Sequence, residues 1–376
     1  MSWHNKKFID FILLQRGHDL TKEQIIPGIY PVVTSTSIMG YHNTYKANGP
    51  GVVTGRSGTI GEVQYITENY WPHNTSLYVK DFKGNHPKFV YYFMKNFGTG
   101  RAKSGSAVPT LNRNNLSGID VKVPDYEIQV RIADILSSYD DLIENNQKQI
   151  TLLEEAAQRL YKEWFVDLHF PGYEDVKNIE GVPEGWTYRK VEEFGEVITG
   201  KTPSTSKMEY YGGSIPFVTI PDMHGNVFPL VTEKTLTKTG ADTQKNKYIP
   251  TNSIIVSCIA TVGLVNIAVK SCQTNQQINS VILHDDNDLY FFYESMKRIK
   301  ALLDGVGSNG ATMTNVNKTK FSNIKVMYPT EDLVMKYNEF CKLIFAQILA
   351  LSKSNLISKQ TRDYLLPKLM SGEIEV

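Results

Sequence analysis

The chain has 376 residues, 41% hydrophobic and 21% charged, and this composition excludes a disordered chain while the length favours two or three domains. No uninterrupted apolar run reaches the roughly 18–20 residues of a membrane span, and the N-terminus has charges where a signal peptide has its apolar core, so we expect a soluble cytoplasmic protein. The three cysteines form no Cys-x-x-Cys pair. Neither a disulfide framework nor a structural zinc site is therefore expected.

The net charge of +1 hides a segregation of charge along the chain. Residues 1–124 carry 14 Lys and Arg against 7 Asp and Glu, whereas residues 125–170 carry 4 against 10. A basic N-terminal region favours a polyanionic partner, of which nucleic acid is the commonest. A solvated face with scattered lysines would have the same composition.

The basic region is predicted to form short strands and one supporting helix. Runs rich in β-branched residues and bounded by Gly, Pro and Asn predict strands at 29–34, 51–55, 62–66 and 76–80. Residues 86–97 begin with a proline in the first helical turn and repeat Phe89, Phe93 and Phe97 every four residues. This aromatic stripe is interpreted as core.

A long helix is predicted over residues 127–164. Apolar or packing positions recur there in steps of three and four, which is typical of a coiled-coil seam. They are Ile128, Ile132, Ile135, Tyr139, Leu142, Asn146, Ile150, Leu153, Ala157, Leu160 and Trp164. The acidic residues outside this seam face either a partner or solvent: Asp134, Asp140, Asp141, Glu144, Glu154 and Glu155.

An internal repeat shows that the same plan occurs twice. SGSAVPTLNRNNLSGIDVKVP (104–124) aligns without a gap with NGATMTNVNKTKFSNIKVMYP (309–329), which predicts two copies of about 200 residues. In the second copy a helix is predicted over 288–303. A second long helix after Pro329 uses Leu333, Tyr337, Phe340, Ile344, Ile348, Leu351, Leu365 and Leu369, and Pro367 is expected to end it.

The predicted fold class is α+β. Two tandem mixed α/β domains are separated by two long helices, packed as an antiparallel coiled coil and related by an internal pseudo-two-fold axis. Asn146 and Asn355 lie near the seam and either set its register or are polar residues without that role. The expected boundaries are 1–124 and 171–329 for the two domains, and 125–170 and 330–376 for the two helical regions.

The chain resembles the specificity subunit of type I restriction–modification enzymes. The resemblance rests on the two-copy plan, on VPEGWTYRKVEEFGEVITGKTPS (182–204) at the start of the second domain and on the C-terminal RDYLLPKLMSGEIEV (362–376). It implies two target-recognition domains that each read one half of a bipartite sequence in double-stranded DNA. The first copy lacks a Pro-Glu-Gly-Trp segment, so its N-terminal edge is expected to be covered differently.

The resemblance also implies protein partners, whereas no membrane partner is expected. Two methyltransferase (modification) subunits would bind the helical regions, and restriction (motor and nuclease) subunits would join through the complex. The alternative is a recognition subunit of a DNA-modification complex without a nuclease. The residues predict no catalytic site, metal or cofactor, because the sequence has no Gly-rich phosphate loop, no metal-ligand spacing and no base-flipping motif. A single-chain DNA enzyme would need a further domain, and a coiled-coil adaptor would not need two dissimilar polar domains.

Candidate DNA contacts are polar side chains on turns, because amide and guanidinium groups read base edges while Lys, Ser and Tyr mostly bind phosphates. In the first domain they are Ser35, Ser37, Tyr41, His42, Asn43, Lys46, Arg56, Ser57, His73, Asn74, Arg101, Lys103, Ser104 and Arg113. Arg56, next to Gly55 in TGRSG, is the predicted guanine reader, or else an ordinary exposed arginine of a turn.

In the second domain, the candidates lie in TGKTPSTSK, in the tyrosines that follow it, in QTNQQIN and around residues 308–318. They are Lys201, Thr202, Ser204, Tyr210, Tyr211, Asn275, Gln276, Gln277, Ser308, Asn309 and Lys318. The Asn-Gln-Gln run suits adenine, although any one of its members is equally suited to cap a helix or strand.

Overall fold

A computed structural model describes residues 2–55, 62–103, 116–299 and 315–376, with residues 98–103 described only as helical backbone. The chain divides into two compact units. The first unit contains residues 1–144 and 356–376, and the second contains residues 145–355.

The described residues of the first unit form three sheets. Its strands are Trp3–Lys7, Leu13–Arg16, Pro27–Val33, Ile38–His42, Gly51–Gly55, Val63–Ile66, Trp71–Pro72, Ser76–Asp81 and Asp120–Pro124. An antiparallel four-stranded sheet has the order 13–16, 76–81, 51–55, 63–66. In a three-stranded sheet, Pro27–Val33 lies between Ile38–His42 and Trp71–Pro72 and pairs in parallel with the latter.

The helices of the first unit cover its sheets. They are Phe8–Phe11, the 3₁₀ turn Lys22–Gln24, Pro87–Lys103 and the adjoining parts of two long helices. Phe89 and Phe93 are buried in a core with Phe11, Val79 and Leu136, which confirms the interpretation of the aromatic stripe. The four strands predicted in this region are also confirmed, within a few residues at each end.

The second unit repeats this architecture. Its strands are Asn178–Ile179, Val182–Pro183, Thr187–Lys190, Gly195–Thr199, Tyr211–Val218, Lys234–Leu236, Ile254–Ser257, Val265–Ile267, Gln273–Thr274, Ile278–Leu283 and Lys325–Tyr328. Its shorter helices and 3₁₀ turns are Tyr173–Asp175, Val191–Phe194, Met208–Tyr210, Ile220–Met223, Lys238–Asp242, Lys245–Lys247, Asp286–Asp288, Leu289–Lys297 and Lys318–Ser322.

The sheets of the two units have matching strand orders. The four-stranded sheet of the second unit has the order 195–199, 278–283, 254–257, 265–267. Its three-stranded sheet again contains one parallel pair, here Tyr211–Val218 with Gln273–Thr274. The internal repeat predicted from the sequence is therefore a repeat of topology.

The N-terminal edge of the first copy is covered like that of the second, contrary to expectation. Trp3–Lys7 pairs antiparallel with Asp120–Pro124. Thr187–Lys190, after the Pro-Glu-Gly-Trp segment, pairs antiparallel with Lys325–Tyr328. The strand immediately before each long helix thus has the same kind of partner, although the sequences of the two lead-in segments differ.

Two long helices run through the chain. The first, Tyr126–Phe165, confirms the predicted helix within one residue at each end. The second, Glu331–Ser371, contains Pro367, so the expectation that Pro367 ends it is wrong. A proline removes one backbone hydrogen bond, but Leu369 and Met370 beyond it are buried in the core of the first unit, and this packing favours continuation of the helix.

Contacts inside each unit join the two long helices, and those of the second unit show that the helices run antiparallel there. In the second unit, Asn146 Nδ2 donates to Asn355 Oδ1 at 2.9 Å, and Tyr337 Oη donates to the carbonyl of Ala157 at 3.1 Å. In the first unit, Arg362 forms an ion pair with Asp140. One seam position is wrong, since Leu142 is 42% exposed. Phe340 is 60% exposed, but its ring still packs edge-on against Trp164 of the first long helix at 6.0 Å. Coiled-coil packing and the pseudo-two-fold axis stay predictions.

The second long helix is long and apolar enough to cross a membrane by length and composition alone, which was not expected from the sequence. A helix that packs within a soluble protein satisfies the same criterion. Tyr337, Phe345 and Ile348 are fully buried in the core of the second unit. Packing therefore accounts for part of the apolar character of this helix, since 17% of its apolar stretch is buried.

Candidate nucleic-acid interface

Two loops of the first unit are held together by their backbones. Gly17 N donates to the carbonyl of Ser76 at 3.1 Å, and His18 N donates to the carbonyl of Pro72 at 2.8 Å. A Cβ at Gly17 would lie 2.1 Å from the carbonyl oxygen of His73, so only glycine permits this approach. The loop after Leu13–Arg16 is thereby placed beside the loop that carries His73 and Asn74.

Polar side chains connect these two loops. Asn74 Nδ2 donates to Asp19 Oδ1. Arg16 Nε donates to the carbonyl of Asn74 at 3.4 Å, and its guanidinium lies 3.6 Å from the Asp19 carboxylate. His73 bonds through Nε2 to the carbonyl of Leu20 at 3.1 Å and through Nδ1 to Thr75 at 3.0 Å. Asn74 is therefore held at the surface, while both ring nitrogens of His73 are occupied within the protein.

Trp71 organises the adjoining surface. Lys46 Nζ lies 5.1 Å from the centroid of its ring, a cation–π contact that leaves the lysine side chain exposed. The His42 ring packs edge-on against Trp71 at 5.1 Å, is 6% exposed, and accepts the N–H of Ile26 through Nδ1 at 3.0 Å. His42 is thus a packing residue, and its prediction as a DNA contact is corrected.

The pKa of His18, beside Trp71, is lowered first by burial and then by the positive charge of Lys46. His18 therefore favours its neutral form. The positive charge in this part of the surface comes from Lys46 and Arg16, which supports phosphate binding by the lysine.

The remaining candidates of the first unit differ in how far the structure describes them. Tyr41 and Asn43 are exposed at the end of Ile38–His42, and Ser35 and Ser37 lie in the turn that Thr34 closes through its hydrogen bond to the carbonyl of Ser37. Arg101 and Lys103 belong to the helix Pro87–Lys103. The candidates outside the described residues are Arg56, Ser57, Ser104, Arg113, Ser308 and Asn309.

The second unit brings the two predicted sequence motifs together. Gly200 N donates to the carbonyl of Ile278 at 3.0 Å, and Lys201 N donates to the carbonyl of Thr274 at 2.9 Å. A Cβ at Gly200 would lie 2.2 Å from the carbonyl oxygen of Asn275. The TGKTPSTSK and QTNQQIN loops therefore form one surface.

Side-chain bonds cross this surface. Thr202 Oγ1 donates to Gln276 Oε1 at 2.7 Å. Asn275 Nδ2 donates to Gln277 Oε1 at 3.0 Å, and the backbone N–H of Gln277 donates to Asn275 Oδ1 at 3.1 Å. Gln276 is exposed, whereas Asn275 and Gln277 are half-buried. Among the three amides of this run, Gln276 is the one most available to a ligand.

The tyrosines after the first loop support its shape. Tyr211 Oη donates to the carbonyl of Pro203 at 2.7 Å, and Lys207 Nζ donates to Tyr210 Oη at 3.1 Å. Ser204 bonds to Ser206 at 2.9 Å. Lys318 is exposed at the start of Lys318–Ser322, and no described bond joins it to these loops.

The sequence analysis did not identify Gln244, a buried residue that supports the loop pair of the second unit. Its amide donates to the carbonyl of Lys201 at 2.6 Å and to Gln273 Oε1 at 2.8 Å, while the residue is 5% exposed. The sequence analysis also missed Asp19, the partner of Asn74. Neither residue lies in a polar turn with a recognisable motif. The sequence therefore contains no local pattern that identifies either one as a support for a binding loop.

The cysteines and acids of the described residues do not suggest a metal centre. No group of three His, Cys, Asp or Glu among the described residues could hold a metal ion. Burial raises the pKa of Cys258 to about 11 and that of Cys272 and Cys341 to about 12. These buried thiols are core residues.

Tandem domains of one topology, each with a polar loop pair at its surface, define a class of proteins with two related recognition modules. The family model for the type I restriction modification DNA specificity domain matches the chain twice, over residues 2–155 and 183–332. The chain belongs to this family. The tandem α+β fold class and the specificity-subunit assignment, including its non-catalytic character within that family, are thereby confirmed.

Relatives and a solved structure agree with this assignment. The chain is 34% identical to the type I restriction enzyme HindI specificity subunit of Haemophilus influenzae, over 73% of this chain and 72% of that protein. It is 27% identical to the MjaIX specificity subunit of Methanocaldococcus jannaschii, over 98% and 84%. The crystal structure of a type I restriction–modification S subunit from M. genitalium has a TM-score of 0.63 at 16% identity, covering 98% of this chain and 96% of that chain, and supports the fold.

Proposed function

We propose that this chain is the sequence-specific DNA-binding subunit of a type I restriction–modification complex and that each of its two domains reads one half of a bipartite target. The observation that carries the proposal is the repeated loop pair, one in each unit, with exposed cations and an amide that is half-buried in the first unit and exposed in the second. Asn74, Arg16 and Lys46 contribute to the first surface, and Gln276 and Lys201 contribute to the second. The same frame with different side chains is what two different half-site sequences require.

The predicted contacts fall into two roles. Arg56, Asn74 and Gln276 read base edges, because guanidinium and amide groups match the patterns of guanine and adenine in the major groove. Lysines, serines and tyrosines of the predicted list bind phosphates and set the position of the protein on the duplex. His42 is excluded because it is buried.

The helical regions 125–170 and 330–376 are proposed to bind two methyltransferase subunits, through which restriction subunits join the complex in the cytoplasm. Within the second unit the long helices expose large apolar side chains, with Leu152 64% and Leu343 78% exposed. Large apolar side chains left in solvent favour a protein partner. The recognition domains are accordingly proposed to extend over 1–124 and 171–329.

The second candidate function is recognition within a DNA-modification complex that has no nuclease. Both functions use the same loops and the same methyltransferase partners. They differ only in whether a restriction subunit is recruited, so assembly with a restriction subunit and cleavage of unmodified DNA separate them.

Methylation-site sequencing tests the main proposal. Cells that express this chain with its methyltransferase subunits should carry methylation at one bipartite sequence, and gel-shift experiments with purified complex should select the same sequence. The chain without those subunits should neither methylate nor cleave DNA. Methylation or cleavage by the purified single chain, or a complex without sequence preference, would contradict the proposal.

A further inference from the structure

The two loop pairs are equivalent in their backbone frames. In both units a glycine after the edge strand of the four-stranded sheet donates to the next strand, Gly17 to Ser76 and Gly200 to Ile278. The following residue in both units donates to the last residue of the parallel strand, His18 to Pro72 and Lys201 to Thr274. In both units a Cβ on the glycine would collide with the opposite loop.

At equivalent positions of this frame, a side-chain bond joins the two loops. Asp19 and Thr202 each lie two residues after the glycine, and their partners Asn74 and Gln276 each lie two residues after the parallel strand. We name each bonded pair a clasp: Asp19–Asn74 in the first unit and Thr202–Gln276 in the second. The placement of the clasp is common to both units, whereas its chemistry differs.

The chemistry of the first clasp determines which end of its amide faces outward. A carboxylate only accepts hydrogen bonds, so Asp19 binds the amide nitrogen of Asn74 and leaves one N–H and the Oδ1 acceptor. Thr202 donates to Gln276 Oε1, which leaves the two N–H groups and one lone pair of that amide. Because a hydroxyl also accepts hydrogen bonds, the second clasp fixes the place of its amide rather than the direction in which it points. Each clasped amide thus keeps a donor and an acceptor side by side.

Orientation matters because the terminal torsion of an amide side chain has two nearly equivalent states. Adenine presents an N7 acceptor and an N6 donor in the major groove, and an Asn or Gln amide pairs with both. Reversing the amide exchanges its donor and acceptor. An amide of fixed orientation therefore distinguishes an A·T pair from a T·A pair. An amide that rotates freely discriminates less well between the two pairs.

The negative charge of Asp19 would by itself repel the DNA backbone. Arg16 lies 3.6 Å from that carboxylate and also donates to the carbonyl of Asn74. Arg16, at the end of the strand Leu13–Arg16, therefore offsets the negative charge of Asp19 in the first clasp. The second clasp has no carboxylate, and Lys201 beside Thr202 is exposed.

We propose that Asp19 and Thr202 are positioning residues for the amides of Asn74 and Gln276, so that each amide reads one adenine in its half-site. Asp19 fixes the orientation of the first amide, and Thr202 fixes the place of the second. This inference rests on the proposed function and adds to it the residues that position the base readers. Asp19 and Thr202 act through the amides and need not touch DNA themselves.

The experiment uses the complete complex with its methyltransferase subunits and measures base preference at every position of the target, by methylation-site sequencing and by binding to oligonucleotides with single base changes. Asp19→Asn replaces a pure acceptor by a group that donates or accepts, so the Asn74 amide can reverse. We expect about a tenfold loss of A·T over T·A discrimination at one position of the first half-site. The second half-site should be unchanged.

Thr202→Val and Thr202→Ser form the matched pair in the second unit. Valine removes the hydroxyl at similar volume and should relax one adenine position of the second half-site, whereas serine keeps the donor and should preserve the wild-type preference. Asp10→Asn, in the helix Phe8–Phe11, makes the same charge change as Asp19→Asn without a bond to the clasp. It should alter overall affinity at most, and circular dichroism should show that all variants are folded.

Two results would overturn the inference while leaving the proposed function intact. One is a wild-type complex that selects a bipartite target, together with Asp19→Asn and Thr202→Val variants that keep every base preference. The other is relaxation at a position that is not A·T. If the wild-type complex itself has no bipartite preference, the proposed function fails instead.

Discussion

Arg362 of the second long helix forms an ion pair with Asp140 of the first, and Tyr92 Oη donates to the same carboxylate at 2.6 Å. The side chain of Arg362 is 14% exposed and that of Asp140 is 28% exposed. Asp140 was predicted to lie on an acidic face open to a partner or solvent. It instead joins three segments that are distant in sequence within the first unit.

Arg362→Met should lower the free energy of unfolding by about 2 kcal/mol, because it keeps the aliphatic volume but leaves the half-buried Asp140 without its cation. Chemical denaturation monitored by circular dichroism provides the measurement. Arg159→Met is the control, since Arg159 pairs with Glu155 at 3.3 Å but its side chain is 81% exposed. The control should change the unfolding free energy by less than about 1 kcal/mol, and equal effects of the two variants would contradict the argument.

Glu294 predicts a pH dependence of stability. It is 3% exposed, its Oε1 has no hydrogen-bond partner among the described residues, and burial raises its pKa from 4.5 to about 7. The groups that face it are Tyr293, Lys297 and Arg298 nearby in sequence, Glu154 and Tyr161 of the first long helix, and Tyr337 and Cys341 of the second. The folded state therefore favours the protonated acid.

The stabilising contribution of protonated Glu294 is fully present below pH 4.5 and is lost as the pH rises through 7. Glu294→Gln should remove this loss, so the variant should be more stable than the wild type by roughly 3 kcal/mol at pH 8 and similar to it at pH 5. Unfolding free energies at both pH values test this, with the exposed Glu155→Gln as the control. A constant difference between variant and wild type at the two pH values would show that Glu294 does not titrate in this range.

Gly17→Ala and Gly200→Ala should each separate one loop pair. A Cβ would lie 2.1 Å from His73 O in the first case and 2.2 Å from Asn275 O in the second, so the loops must move apart at a cost of about 1–3 kcal/mol. Each variant should lose preference for one half-site while retaining the other. Gly118→Ala is the control, because no atom of the described residues, apart from its chain neighbours, lies within 4 Å of its Cβ position. Loss of both half-sites in one variant would point to general unfolding.

Lys46→Ala should weaken binding to all DNA sequences and reduce the salt dependence of the complex by about one unit, because the lysine is proposed to bind phosphate. Arg56→Ala should instead relax discrimination at one base by about 1–3 kcal/mol. Binding titrations at several salt concentrations distinguish the two effects. Lys80→Ala, on Ser76–Asp81, is the exposed control, and an identical salt slope for Lys46→Ala and wild type would remove Lys46 from the interface.

Local patterns predicted much of the fold. The step of three and four residues identified the first long helix because one apolar face of a helix has that period, and β-branched runs between turn residues identified the strands of the first unit. The pattern failed at Pro367 because burial of Leu369 and Met370, which is a tertiary property, outweighs one missing hydrogen bond. It failed at Leu142 because three-four periodicity does not indicate which of two adjacent apolar positions meets the partner helix.

The candidate surfaces were predictable only in part. Composition and turns identified the polar loops, and the structure places Thr202 beside Gln276 across 74 positions of sequence. Burial of His42 was not predictable, because its position among polar turn residues gives no indication that Trp71 covers it. Asp19 was missed because a lone acid in a basic domain has no local pattern that distinguishes a support for an amide from a solvated charge.

The division of the chain into units has a consequence for synthesis on the ribosome. The second unit is one continuous stretch, 145–355, whereas the first needs both residues 1–144 and residues 356–376. Leu369 and Met370, which belong to the core of the first unit, are translated only after the whole of the second unit. The half of the protein that is translated first should therefore finish folding last, and a chain that stops short of its final turn of helix should expose an apolar surface to chaperones and proteases.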